Sequence, residues 1–309
     1  MNFPAYHPFR SEEAKINYLS RYDERAKSWP IPSDSRMVDT AYGQTFVRIS
    51  GPRTAPPLVL LPGAGSTSLQ WILNIEALSQ QFRTYAVDSL INTGCVGRSI
   101  YTRAITTADD VVGWLNDLFD GLGLQENINL LGASYGGWLA SQYVLHASAR
   151  LDKVILIAPA GVVLPFRPAY LFRTILLNLL PSKARYLRFF KWSFKDLAKM
   201  NGTILEEIAD DFWESVQCFE PVNPRELPRL SALTDKELKT IQVPTLFMIG
   251  ENDTLYSAQK AIHRLKTKAP QVQTDLIPNA GHDLLMVQTQ MVNQKVVQFL
   301  ARSDEVIRI

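Results

Sequence analysis

Gly132-Ala133-Ser134-Tyr135-Gly136 lies between a short apolar run, Ile128 to Leu131, and a run of helical character, Trp138 to His146. A serine between small residues at a strand-to-helix junction sits on a tight turn with its hydroxyl exposed. There it can attack a carbonyl carbon, provided a base takes its proton. The chain has four histidines, so the base is sought by elimination. His7 precedes the domain. His146 stands more than three turns along the helix after Ser134, and His263 sits beside Arg264 and Lys266 in a helical stretch and reads as solvent-facing. His282 follows Pro278-Asn279-Ala280-Gly281, a loop between the last strand and the last helix. A loop histidine at the carboxyl edge of a parallel sheet can face such a serine. His282 is therefore the candidate base, and an ordinary helix-capping histidine is the alternative.

A histidine in that role needs a carboxylate to hold its tautomer and to stabilise the imidazolium. The strand-like run Pro244 to Ile249 ends in Gly250-Glu251-Asn252-Asp253. Ligand-facing groups lie just beyond the carboxyl ends of parallel strands, so Glu251 and Asp253 both qualify. Asp283 is less able to reach around the ring of its neighbour. The order Ser134, Asp253, His282 matches a known triad order and favours Asp253, whose alternative role is to cap a helix starting near Ser257. Charge that develops on a substrate oxygen must meet backbone N–H groups. The small, turn-forming stretch Leu60-Leu61-Pro62-Gly63-Ala64-Gly65 brings its backbone close to a ligand, or else only punctuates a strand and a helix. The expected donors are the N–H groups of Ala64 and Tyr135.

These residues need elements to position them. Residues 11–30 read as a helix ahead of the domain. Met37 to Ile49 reads as two strands meeting at Tyr42-Gly43. Pro57 to Leu61, Thr84 to Val87, Asn127 to Leu131, Lys153 to Ala158, Pro244 to Ile249 and Gln273 to Ile277 read as buried strands. Thr107 caps a helix that stops at Gly121 and Gly123, and a last helix runs from about Leu284 to Ala301. Strands that alternate with helices predict an α/β fold with a mostly parallel sheet covered on both faces. Residues 163–240 break the alternation and read as a helical cap. The expected division is an N-terminal extension at 1–35, a core at 36–162 and 241–309, and the cap between.

The first half of the cap carries Arg167, Arg173, Lys183, Arg185, Arg188, Lys191, Lys195 and Lys199 against Asp196 alone. Its second half is acidic, with Glu206, Glu207, Asp210, Asp211 and Glu214. Two solvated helix faces that attract each other account for this pattern. An attraction for anionic substrates is the functional alternative. Phe166, Trp192 and Trp213 are the aromatics expected to line a substrate pocket, unless they form the cap's own core.

Composition bounds the partners. The 309-residue chain has a net charge of +2, too small for nucleic acid to be the main partner. Cys95 and Cys218 make neither a disulfide framework nor a zinc site, which favours a reducing compartment. Met1 to Arg10 has no apolar signal core. The longest apolar stretch, Tyr170 to Leu180, is interrupted by Arg173 and too short to span a bilayer. The expectation is a cytoplasmic protein with no transmembrane segment, acting on a small molecule. The oligomeric state is not legible.

Taken together, the residues resemble the α/β-hydrolase fold family, in the subgroup with a cap between the sixth and seventh core strands. The resemblance covers about residues 36–302. Its landmarks fall in the family's order: the Leu60–Gly65 loop with Trp71 downstream, Ala86-Val87-Asp88, Gly97-Arg98-Ser99, the elbow, Gly250–Asp253, then Ala280-Gly281-His282. The overall look is that of serine carboxylesterases. The resemblance implies about eight strands, ester cleavage by Ser134, His282 and Asp253 through an acyl-enzyme, and no metal or organic cofactor. Two features depart from the pattern: Pro62-Gly63 replaces the family's His-Gly, and the segment Asp88 to Ser99 is longer than usual. Thioesterases, lipases, carbon–carbon bond hydrolases, perhydrolases and acyltransferases of this fold use the same serine. A non-catalytic small-molecule binder on the same scaffold is the rival of another class.

Overall fold

The computed structural model describes residues 8–91, 95–221 and 223–302. Helix α1 (Glu12–Ala26) precedes an antiparallel hairpin of β1 (Asp34–Thr40) and β2 (Gly43–Ser50). The chain continues through β3 (Pro57–Leu61), α2 (Ile75–Ser79), β4 (Arg83–Val87), β5 (Ile100–Tyr101), α3 (Ala108–Leu122), β6 (Ile128–Ala133), α4 (Tyr135–His146) and β7 (Leu151–Ile157). Five helices follow: α5 (Pro168–Leu179), α6 (Lys183–Ser193), α7 (Lys195–Met200), α8 (Gly202–Cys218) and α9 (Asp235–Thr240). The chain closes with β8 (Thr245–Gly250), α10 (Ala258–Lys268), β9 (Gln273–Ile277), α11 (Leu284–Val287) and α12 (Thr289–Ala301).

The sheet order is β1-β2-β4-β3-β6-β7-β8-β9, with β5 paired to β2. From β4 to β9 every neighbour is parallel. The central strands β6 and β8 are buried at every residue, as strands covered on both faces must be. Their carboxyl ends lie along one edge, so the loops after β3, β6, β8 and β9 share it.

Two elements differ from expectation. The described strands number nine, because Ile100 and Tyr101 pair with Gln44 and Gly43; two residues are too short for alternation to show. The last helix is broken at Gln288, where the Thr289 hydroxyl takes up the Leu285 and Met286 carbonyls. Helix α3 starts as its sequence indicates. Thr107 and Asp110 form a reciprocal capping box, and Gly123 closes the helix in the left-handed conformation.

Candidate active site

The turn after β6 puts Ser134 at φ 51°, ψ −113°, a region that costs a non-glycine residue strain. The surroundings impose it. The Ser134 N–H donates to the Ile157 carbonyl at 2.8 Å, and the Ser134 carbonyl accepts the N–H groups of Gly137, Trp138 and Ala160. The flanking glycines are needed for closeness. A Cβ on Gly132 would overlap the Gly136 carbonyl, and one on Gly136 would overlap the Leu61 carbonyl.

Parallel pairing of β8 with β9 joins the two loops that face this turn. The Glu251 N–H donates to Ile277, and the Asn252 N–H to Ala280. Across that seam, His282 Nε2 lies 2.9 Å from Ser134 Oγ, and His282 Nδ1 lies 3.0 Å from Asp253 Oδ2. The Asp253 side chain is fully buried, and its other oxygen accepts the Leu255 N–H at 2.8 Å. Helix α10 is capped by Ser257, so Asp253 is not spent on that helix. Glu251 faces outward and takes the Asn279 N–H. Asp283 is engaged otherwise and accepts the N–H groups of Gly281 and Leu197, both at 2.8 Å. Burial raises its pKa, and those two N–H groups partly offset the rise.

The loop after β3 leans on the serine: a Cβ on Gly63 would stand 3.4 Å from Ser134 Cβ. The N–H groups of Ala64 and Tyr135 find no acceptor among the described residues. Ser134, His282 and Asp253 are thus brought together; Tyr135 directly follows the serine, and Ala64 follows the Gly63 that leans on it. Sequence reading missed Gln70. Its Oε1 accepts the Gly63 N–H at 2.8 Å and so holds the loop in the absence of the family's histidine. Its only signal was position, seven residues after Gly63 in the turn before Trp71.

The three expected pocket aromatics pack against other rings of the segment between β7 and β8. Phe166 and Trp192 both pack on Tyr170, and Trp213 lies against Tyr186. The rings that meet the site are Phe194, 6.3 Å from the His282 ring, and Phe212, which covers Gly65. Both join Phe190 in a second apolar cluster formed by α6, α7 and α8. Burial raises the phenol pKa of Tyr170, with the nearby Asp253 carboxylate adding to the rise. Of the long loop after Asp88, Asn92 to Gly94 lie outside the described residues. Cys95 and Val96 are buried, with Cys95 Sγ 2.6 Å from the Tyr18 hydroxyl.

Residues 58–294 match the family described as the alpha/beta hydrolase family. The chain belongs to that family. This hydrolase is 35% identical to carboxylesterase YbfK of Bacillus subtilis (strain 168), over 94% of its own length and 96% of the relative's. The crystal structure of that carboxylesterase, CesB (YbfK), superposes with a TM-score of 0.84 at 34% identity, covering 94% of this chain and 99% of the other. The naproxen esterase of Bacillus subtilis, carboxylesterase NP, superposes with the same TM-score at 31% identity and the same coverage. Among the hydrolase's described residues, no helix is long and apolar enough to cross a membrane.

Proposed function

We propose that the protein is a carboxylesterase that acts on small-molecule esters through an acyl-enzyme. The observation that carries this is the hydrogen-bonded chain Ser134 Oγ, His282, Asp253, in a protein that a carboxylesterase matches over 94% of its length. Ser134 Oγ attacks the ester carbon and His282 Nε2 takes its proton. A C–O bond forms as the carbonyl π bond opens, and the Ala64 and Tyr135 N–H groups meet the resulting oxyanion. Collapse breaks the bond to the alcohol, which leaves with the proton from His282. Water repeats the sequence with His282 as base, frees the acid and restores Ser134. Asp253, buried and held by Leu255, fixes the tautomer in which Nε2 is free to accept.

Residues 163–240 act as a lid over this edge, and Phe194 and Phe212 in it border the acyl or alcohol pocket. A reducing compartment such as the cytoplasm suits the two free cysteines. The test is hydrolysis of p-nitrophenyl esters from acetate to palmitate. Ser134→Ala should lose about 10⁴-fold or more in kcat on every ester that the wild type cleaves. Labelling of the wild type, but not of that variant, by a fluorophosphonate separates an enzyme from a binder. Unchanged hydrolysis in the variant would overturn the reading.

A further inference from the structure

Helix α5 is apolar on the face it turns to solvent. Leu171, Phe172, Ile175, Leu176 and Leu179 are exposed there, Phe172 by 68% and Leu179 by 72%, and Leu180 continues the stripe. At the helical repeat these five helical positions fall within an arc of about 140°. The opposite face is already occupied. Leu177 is buried, and Tyr170 stacks on Phe166 and packs against Phe189 and Trp192. Six of the thirteen large hydrophobic side chains exposed among the described residues fall in this ten-residue stretch. Single exposed apolar residues are ordinary, but a concentrated stripe marks an interaction surface.

Charge identifies what covers it. Residues 164–195 contain seven Lys or Arg and no Asp or Glu. Lys183 and Lys191 turn to Asp210 and Glu206 on α8. Arg167, Arg173, Arg185 and Arg188 form no ion pair among the described residues; Arg173 lies over the Trp192 ring at 4.6 Å. Pairing of two copies through this stripe would bring like charges together. An anionic surface would neutralise them while its apolar layer takes the stripe.

We infer that α5 and its arginine flanks form a docking surface for an anionic lipid membrane. The apolar side chains enter the boundary between headgroups and acyl chains, and the arginines meet the phosphates. Helix α6, which follows α5, leads into Phe194 beside His282. An ester dissolved in the lipid is thereby delivered close to Ser134. That last step rests on the esterase reading; the docking does not.

The test is sedimentation of the full chain carrying Ser134→Ala with phospholipid vesicles, so that binding is read apart from activity. Vesicles containing phosphatidylglycerol should bind about tenfold more tightly than phosphatidylcholine alone, and high salt should abolish the difference. Phe172→Glu with Leu179→Glu should lower binding about tenfold or more, since charge is costly in the acyl region. Ile16→Glu, at an exposed apolar position on α1, should leave binding unchanged, and a circular dichroism spectrum like the parent's excludes misfolding. Absence of binding to phosphatidylglycerol vesicles overturns the inference. So does a stable dimer that the same paired substitution dissolves, because the stripe is then covered by a second copy.

Discussion

One amide decides how the loop after β3 stands over Ser134. The Gly63 N–H would point into a part-buried turn without a protein partner had Gln70 not supplied one. An N–H left unpaired at a part-buried position costs about 1–3 kcal/mol, and the loop would move to relieve it. That loop carries the Ala64 N–H, one of the two proposed oxyanion donors. Gln70→Leu should therefore lower kcat by about 10–100-fold and change KM much less, since the oxyanion exists only on the reaction path. Steady-state kinetics on a short p-nitrophenyl ester check this. An unchanged kcat would mean that the loop is held by its packing alone.

Among the elements, α3 shows its stabilising contacts most openly. Burial pushes the Asp110 carboxyl up, but hydrogen bonds from the Thr106 N–H, the Thr107 side chain, the Tyr42 hydroxyl and the Thr107 N–H outweigh it and bring it to about 2. A carboxyl whose folded pKa is lowered stabilises the fold above its unfolded value, near 3.8, and loses that contribution as pH falls towards 2. Asp110→Asn should therefore cost about 1 kcal/mol at neutral pH. The gap between the two proteins should close over that acid window. Urea unfolding of both proteins at a series of pH values measures it, and a gap independent of pH would refute the assignment.

At the scale of the molecule, the segment between β7 and β8 is tied to the two loops that carry Asp253 and His282. Asn252 donates to Asp196, Ser193 and Thr254 share a hydrogen bond at 3.2 Å, and the Leu197 N–H reaches Asp283. On its other side α8 is bound to α1 through Arg25 and Asp211 at 2.9 Å, and the Phe219 ring packs on Phe9 and Tyr18. The proposed lid thus shares its anchor points with the site. Asp283→Ala leaves the Leu197 and Gly281 N–H groups without partners and should cost about 2–4 kcal/mol in unfolding free energy. It should also lower kcat on a short ester, because His282 is the adjacent residue. Normal activity in a destabilised variant would show that the two loops keep their geometry without the tie.

Much of the site was legible in the chain. The elbow needs small residues on both sides of Ser134, the base had few candidates, and buried strands announce themselves as continuous apolar runs. Local chemistry sets those features, so local sequence reveals them; the capping box at Thr107 and Asp110 is of the same kind. Tertiary structure decided what distant segments meet. Glu251 and Asp253 both qualified as residues two apart on one loop, and the triad's chain order favoured Asp253. Only the β8–β9 seam turns Asp253 to the ring and Glu251 to the Asn279 N–H. Which aromatics border the site followed the crossing of α6, α7 and α8, which brought Phe194 and Phe212 in and sent Trp213 to Tyr186. Gln70 carried no motif, because its function lies in one backbone N–H that the turn after β3 presents to it. Residue types set what chemistry Ser134 could do; long-range packing set which groups stand around it.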